Sequence, residues 1–222
     1  MQAVILAAGR DKEMEQLIGY YPKALLKIKG RPVLEYTLAS LPREISQVIL
    51  VVGFRGDLIK RYFGSSYNGR EVRYAWQYMP HGTAAALWQI QRALKDRFLV
   101  INGDDLYHPD DLKNAASREW SILVRESFKP ERFGVIELND SGRLKAIHEK
   151  PASPPSNLVN IGVYSLNTEI FDYDPPGVAD SFNLPEVLSI WAAKRRIKVE
   201  KAKFWHSFNC AADIEAAEKM FE

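Results

Sequence analysis

Hydrophobic and polar positions follow two different patterns along the chain. In the first hundred residues, short and nearly continuous apolar runs alternate with segments that carry apolar residues at helical spacing. Continuous apolar runs are typical of strands covered on both faces, so this half predicts a mostly parallel sheet with helices between its strands. The predicted strands are residues 3–6, 48–52, 71–76 and 98–101, and the predicted helices are residues 32–41, 57–63 and 83–94.

The second half of the chain has shorter apolar runs with turn residues between them. Asn139-Asp140-Ser141-Gly142 is a typical tight-turn sequence and separates two of these runs. We therefore expect antiparallel ribbons that form a platform beside the parallel core, followed by two closing helices. The predicted strands are residues 122–124, 134–138, 144–147 and 159–165, and the predicted helices are residues 184–194 and 211–221.

The composition is that of an ordinary globular protein and narrows the function classes. The chain has 222 residues, of which 46% are hydrophobic and 26% charged, and we expect residues 1–222 to form a single domain. A formal net charge of +2 is too small to argue for nucleic acid as a partner. No apolar run reaches the roughly 18–20 residues of a membrane span. The single cysteine, Cys210, excludes an internal disulfide bond and suits a reducing cytosol. We therefore expect a cytoplasmic protein with neither nucleic acid nor membrane as partner, and a homo-oligomer stays open.

Small residues follow the first predicted strand. Leu6 is followed by Ala7, Ala8 and Gly9, whose short side chains let a ligand lie directly against the backbone. Thirteen positions after Gly9, Pro22-Lys23 brings in a lysine, a mobile cation suited to a phosphate. Ligands of α/β sheets bind outside the carboxyl ends of the strands, so this segment predicts a phosphate site.

Asp104 lies at a second strand end, after the apolar run 98–101 and Gly103. A carboxylate in a half-buried strand mouth is costly without a cation, and Mg²⁺ held by one or two carboxylates plus substrate phosphates is one such partner. The alternative is that Asp104 caps a helix starting near Pro109 or occupies a simple turn. The residues alone leave these alternatives open.

Three further segments carry polar or small residues in a suggestive order. Gln77 precedes Pro80-His81-Gly82-Thr83-Ala84. A purely structural interpretation places Gln77 on an exposed strand and makes Thr83 the cap of the following helix. His148-Glu149-Lys150-Pro151 follows a predicted strand, with Gly134 before it and Asn160 after it. The third segment is residues 205–214, Trp-His-Ser-Phe-Asn-Cys-Ala-Ala-Asp-Ile.

These segments, taken in order along essentially the whole chain, resemble the motifs of the sugar-phosphate nucleotidyltransferase family. This family comprises the sugar-1-phosphate uridylyl-, thymidylyl-, guanylyl- and cytidylyltransferases. Its L-A-x-G-x-G-T-R loop is followed by P-K, and its later motifs are Q-x-x-x-x-G-T-A, G-D-(N/D), E-K-P and W-x-D-x-(G/N)-T-P-E-D-L. The resemblance implies an α/β fold with a three-layer, Rossmann-like mixed sheet, mostly parallel, of the nucleoside-diphosphate-sugar transferase type. It also implies transfer of a nucleotidyl group from a nucleoside triphosphate (NTP) to a sugar-1-phosphate, which gives a nucleotide sugar and pyrophosphate.

The resemblance also implies a role for each matching residue, with Mg²⁺ as the cofactor. The residues implied to bind the nucleotide are Leu6, Ala7, Ala8, Gly9, Gln77, Gly82 and Thr83. The residues implied to bind the sugar are Gly134, Glu149 and Asn160. The residues implied to act in catalysis are Lys23, Asp104 and Lys150, and Asp104 is also the implied metal ligand.

The chain departs from the family pattern at two charged positions. Residues 11–13 read Asp-Lys-Glu where the family carries Gly-Thr-Arg, and that arginine grips the triphosphate in the family. Ser207 stands where the family has an aspartate that is the second magnesium ligand. Three hypotheses follow. The first is a working enzyme in which Lys12 and Lys23 carry the triphosphate. The second is a nucleotide- or nucleotide-sugar-binding homologue that has lost catalysis, and the third is a cytidylyltransferase for a non-sugar phosphate such as phosphocholine.

Overall fold

The computed structural model describes residues 1–10, 14, 16, 19–78, 81–173 and 182–221. The divergent segment 11–13, which includes Lys12, and Pro80 lie outside the described residues. What the sequence predicts for them stays a prediction.

Strands dominate the described part of the chain. They are β1 (Gln2–Ala7), β2 (Lys27–Ile28), β3 (Arg31–Pro32), β4 (Gln47–Val52), β5 (Ser66–Tyr67), β6 (Arg70–Trp76), β7 (Arg97–Asn102), β8 (Asp105–Tyr107), β9 (Ser121–Glu126), β10 (Gly134–Leu138), β11 (Leu144–Glu149), β12 (Leu158–Asn167), β13 (Lys198–Lys201) and β14 (Trp205–Ser207). The helices are α1 (Val33–Ser40), α2 (Gly56–Phe63), α3 (Thr83–Gln89), α4 (Pro109–Ala116), α5 (Leu184–Ala192) and α6 (Ala211–Met220).

The main sheet is parallel at its centre. β1 lies between β4 and β7 and pairs in parallel with both, and β6 extends the parallel set beyond β4. The strand order along the sheet is β11-β10-β12-β7-β1-β4-β6-β5, and β9 pairs with β12 and β13. Because the parallel strands all run the same way, their carboxyl ends meet at one edge, where ligands of α/β sheets bind.

Helices cover both faces of this sheet because successive side chains of a strand point to opposite faces. In β1, Ala3 and Ile5 join a buried cluster that contains residues of α1, α2 and α4. Val4 joins a second buried cluster with residues of α3 and α5. This three-layer arrangement around mostly parallel central strands confirms the predicted fold class.

The antiparallel strands lie within the main sheet, which corrects the prediction of a platform beside the parallel core. β12 pairs antiparallel with β7 from Val163 to Asn167, so it extends the edge of the parallel set directly. Nearer its start, β12 pairs with β10 and β9, and its register with β9 shifts between Asn160 and Tyr164. The ten-residue length of β12 lets one strand join both halves of the chain.

Six short strands and two helix ends differ from the prediction. The unpredicted strands are two to four residues long, too short to give a recognisable hydrophobic period, and they are β2, β3, β5, β8, β13 and β14. The helix predicted over residues 83–94 ends at Gln89 and continues as a 3₁₀ turn over Gln91–Ala93, and α5 ends at Ala192. No helix in the described ranges is long and apolar enough to cross a bilayer.

Candidate active site

A cavity of about 730 Å³ lies where β1 gives way to the small residues. We call it the β1 cavity. The described residues lining it include Leu6, Ala8, Gly9, Arg10, Phe54, Gln77, Gly82, Thr83, Asn102 and Asp104. Six of the seven residues that the family resemblance implies for nucleotide binding therefore line this one cavity. Ala7 is not among the lining residues, because its side chain is buried in the core cluster under α1 and α2.

Backbone segments approach closely at this end of the sheet. A Cβ atom on Gly53 would lie 2.7 Å from the carbonyl oxygen of Gln77 and 2.8 Å from that of Ala8. Only glycine fits between these two carbonyl groups. Gly53 thus lets the loops after β1 and β6 close around the end of β4.

The turn that starts α3 is held by Gln77. Its Nε2 donates to the carbonyl oxygen of Gly82 at 3.0 Å. Gly82 is the N-cap residue of α3, with a φ of 98°, which a residue with a side chain rarely adopts. The alternative reading that Thr83 caps this helix is therefore wrong. The Thr83 hydroxyl instead accepts a hydrogen bond from the Leu184 backbone N–H at 2.9 Å.

A second cavity, of about 460 Å³, lies beside β12. We call it the β12 cavity. The residues implied for catalysis and for sugar binding all line it, and these are Lys23, Asp104, Lys150, Gly134, Glu149 and Asn160. Lys150 has a φ of 42°, in the left-handed region that favours glycine, so the end of β11 carries local backbone strain at this cavity.

The three residues implied for sugar binding lie side by side. Gly134 and Glu149 face each other in the β10–β11 ladder. A Cβ atom on Gly134 would lie 3.1 Å from Oε2 of Glu149 and 3.7 Å from Cβ of Asn160. The absence of a side chain at Gly134 leaves room above β10 between a carboxylate and an amide, both of which can hydrogen-bond hydroxyl groups.

The two cavities meet at Asp104, which lines both together with Thr83 and Asn102. The Lys23 ammonium lies 3.3 Å from Oδ2 of Asp104, and the two side chains are 12% and 35% exposed, respectively. Asp104 does not cap α4, because the N-cap residue of that helix is His108, whose Nδ1 accepts from the Asp110 N–H. The junction thus holds the Asp104 carboxylate, which lines both cavities, and the Lys23 ammonium, which lines the β12 cavity.

Asp105 follows Asp104 directly and also lines the β12 cavity, but its side chain is almost fully buried. Oδ2 accepts a hydrogen bond from Nε1 of Trp205 at 3.0 Å. Burial, with a further contribution from the negative charge of Asp104, raises the pKa of Asp105 to about 8. Asp105 is therefore mostly protonated at neutral pH and does not add a second negative charge at the junction.

The pairing of β8 with β14 brings the divergent C-terminal motif to the junction. Ser207 faces Asp105 in this ladder. Ser207 and Asn209 both line the β12 cavity, and the Asn209 amide donates to the Ser207 hydroxyl at 3.0 Å. Ser207 occupies the position where the resembling family has its second metal-binding aspartate. Together with Asn209, it presents neutral side-chain oxygens beside the β12 cavity.

Asn102 is a site residue that the sequence reading missed. It lines both cavities and packs against Gly162, where an added Cβ would clash with the Asn102 side-chain amide. Gly162 has a φ of 72° and lies in the irregular part of β12, where its N–H donates to Oδ1 of Asn160 at 3.0 Å. The only signal for Asn102 in the sequence is its position at a strand end, two residues before Asp104.

The junction fits a magnesium ion held mainly by substrate. Mg²⁺ prefers oxygen ligands and is commonly bound by one or two carboxylates together with substrate phosphates. Asp104 offers such a carboxylate, and Asn102, Ser207 and Asn209 add neutral oxygens along the same cavity. Within the described part of the chain, no group of three or more His, Cys, Asp or Glu side chains could hold a metal by itself.

The chain is similar in sequence to known proteins. Residues 2–196 match the model of the nucleotidyl transferase family. Bifunctional protein GlmU of Methanocaldococcus jannaschii is 30% identical over 225 residues, which cover 99% of this chain and 54% of the relative. UTP–glucose-1-phosphate uridylyltransferase AglF of Haloferax volcanii is 30% identical over 180 residues, which cover 77% of this chain and 74% of the relative. The chain spans about half the length of the GlmU relatives that it matches.

The fold also matches a solved structure. A Bacillus anthracis protein described as a glucose-1-phosphate thymidylyltransferase, crystallised with sucrose, superposes with a TM-score of 0.87 at 21% identity. The match covers 99% of this chain and 94% of that protein. The family model spans most of the chain, and relatives of the sugar-1-phosphate type match it along its length. The chain belongs to the nucleotidyl transferase family, in its sugar-1-phosphate nucleotidyltransferase branch.

Proposed function

We propose that this protein transfers a nucleotidyl group from an NTP to a sugar-1-phosphate. The observation that carries this proposal is the meeting of two cavities at one carboxylate. Asp104 lines both, and the β1 and β12 cavities have different walls on either side of it. A reaction between two bound anions needs such an arrangement, because both reactants must be held and neutralised at a shared point.

The nucleotide occupies the β1 cavity in this proposal. Leu6, Ala8 and Gly9 offer a floor of short or apolar side chains, and Gln77 and Gly82 supply the polar edge for the base. The Gln77 amide is already fixed by its bond to Gly82, so its carbonyl oxygen has a defined direction for recognising a base.

The sugar-1-phosphate occupies the β12 cavity. Glu149 and Asn160 would accept from and donate to sugar hydroxyls above Gly134, and Lys150 would meet the acceptor phosphate. The relative AglF carries UTP and glucose-1-phosphate in its name, so this pair is the first to test.

The chemistry needs alignment and charge neutralisation more than covalent participation by the protein. An oxygen of the sugar phosphate attacks the α-phosphorus, the new P–O bond forms, and the bond to the β-phosphate oxygen breaks. Pyrophosphate leaves with the negative charge, and no proton has to be removed from the attacking phosphate. Lys23 stabilises negative charge near the junction, and Asp104 with nearby neutral oxygens would hold Mg²⁺, which neutralises the phosphates when bound.

We also propose that residues 1–222 form one nucleotidyltransferase domain. Strands from both halves of the chain lie in one sheet. α6, near the end of the chain, packs through Ala217 into a cluster with Ile28, Leu106 and Phe208. The cluster ties the C-terminal helix to elements of the first half.

Asp104→Asn tests the role of the junction carboxylate. The change keeps the size of the side chain and removes its charge, so we expect the magnesium dependence of nucleotide binding or turnover to be lost. Asp110→Asn is a matched control, because Asp110 also pairs with a lysine, Lys203 at 2.7 Å, but lines neither cavity. Unchanged magnesium dependence in Asp104→Asn would contradict the assignment.

A further inference from the structure

A cluster of two aromatic rings and two arginines stands beside the β1 cavity. The rings of Tyr20 and Phe54 meet edge to face with centroids 4.8 Å apart. The guanidinium carbon of Arg10 lies 5.0 Å from the Phe54 ring centroid and 5.6 Å from that of Tyr20. Arg55 approaches Tyr20 at 5.7 Å. Cation–π contacts at these distances restrict where a guanidinium group can lie.

Of the two arginines, only Arg10 belongs to the described lining of the β1 cavity, together with Phe54. Arg10 directly follows Gly9, at the strand end where the sequence predicts a phosphate site. Arg55 is not among the described lining residues, and its guanidinium lies 3.6 Å from the carboxylate of Asp57. The cluster thus directs one of its two cations toward the cavity.

The chemistry of an arginine held in this way suits a chain of phosphates. A guanidinium group that lies over an aromatic ring can still donate hydrogen bonds in its own plane, and that fork matches two phosphate oxygens. Lys23, the cation at the junction with Asp104, lines the β12 cavity and is not among the described residues lining the β1 cavity. Among the described residues, Arg10 thus offers a cation in the β1 cavity, and Lys23 offers another at the junction, in the β12 cavity.

We infer that Arg10, held by Phe54 and Tyr20, binds the terminal phosphates of an NTP. This inference rests on the proposed function. It assigns to Arg10 the phosphate contact that the resembling family makes from position 13, where this chain has Glu13. The leaving pyrophosphate would remain bound to Arg10 as the bond to the α-phosphorus breaks.

The test compares binding of UTP and UMP by calorimetry in the presence of magnesium, with the other four tri- and monophosphate pairs measured alongside. Arg10→Ala should weaken binding of the triphosphate by about 10- to 100-fold, the range for a lost hydrogen bond to a charged group. Binding of the monophosphate should be unchanged. Arg10→Lys keeps the charge without the fork and should give an intermediate loss.

Arg55→Ala is the matched control, since it removes a cation from the same cluster, and it should leave both affinities unchanged. Equal weakening of UTP and UMP by Arg10→Ala, or no weakening of either, would overturn this inference and leave the proposed function standing. Absence of binding of every triphosphate to the unmodified protein would overturn both.

Discussion

Lys23→Ala should separate catalysis from stability. The Lys23 ammonium lies 3.3 Å from Asp104, and the two side chains are 12% and 35% exposed, respectively. Exposed ion pairs contribute at most about 1 kcal/mol to folding, whereas breaking a fully buried pair costs about 3–5 kcal/mol. This pair is partly buried, so the free energy of unfolding should fall by about 1–2 kcal/mol. Loss of one preorganised charge that stabilises the reacting phosphates should instead lower kcat by about 10²–10³-fold.

The assay pairs urea denaturation with initial rates of pyrophosphate release at saturating substrates. Lys203→Ala serves as the control, because it breaks a lysine–aspartate pair of 2.7 Å in which both partners are more than half exposed and neither lines a cavity. The control should keep both its stability and its rate. A Lys23→Ala variant that lost several kcal/mol of stability, or kept its rate within a few-fold, would refute the reasoning.

Three further outcomes are expected. Gly162→Ala should lower the free energy of unfolding by about 1–3 kcal/mol and reduce kcat, because a Cβ atom at a φ of 72° would push Asn102 into the cavities. Denaturation curves that show equal stability for the variant and the unmodified protein would contradict this prediction. For Asp105 the folded pKa of about 8 lies above the ordinary aspartate pKa of 3.8, so between these values the folded state holds a proton that the unfolded chain has lost. Stability should therefore fall by up to about 1.4 kcal/mol per pH unit as pH rises from 5 to 8, and Asp105→Asn, whose amide does not titrate, should lose this slope in thermal melts. Replacing residues 11–13 by Gly-Thr-Arg should leave pyrophosphate release similar or lower in an adapted enzyme, whereas a large increase would mark the native loop as degenerate.

The strands of the core were predictable because burial on both faces leaves a continuous apolar run. The runs over residues 48–52 and 98–101 became β4 and β7, with only one or two residues added at their ends. The antiparallel half was harder to place, because hydrophobic alternation specifies a strand but not its neighbours. The pairing of β12 with β7 depends on contacts between residues 62 to 70 positions apart, which no local pattern records.

The residues that line the cavities could be found from motifs, but their environments could not. Asp104 and Asp105 are identical and adjacent in sequence, yet Asp104 lines both cavities, whereas Asp105 lines only the β12 cavity and is buried beneath Trp205, 100 positions further along. The contacts of Arg10 likewise come from rings 10 and 44 residues away. Such environments arise only when the sheet and its loops are assembled.

The central claim is that the two cavities bind two anions that react with each other. It is tested most directly by incubating the unmodified protein with magnesium, each of the five nucleoside triphosphates, and a panel of sugar-1-phosphates plus phosphocholine. Pyrophosphate release is followed by a coupled assay, and the products are identified by mass spectrometry. The account predicts release of pyrophosphate together with a nucleotide sugar for at least one pair, beginning with UTP and glucose-1-phosphate. Silence across the whole panel, with nucleotide binding still measurable, would contradict it and leave a protein that binds nucleotides without transferring them.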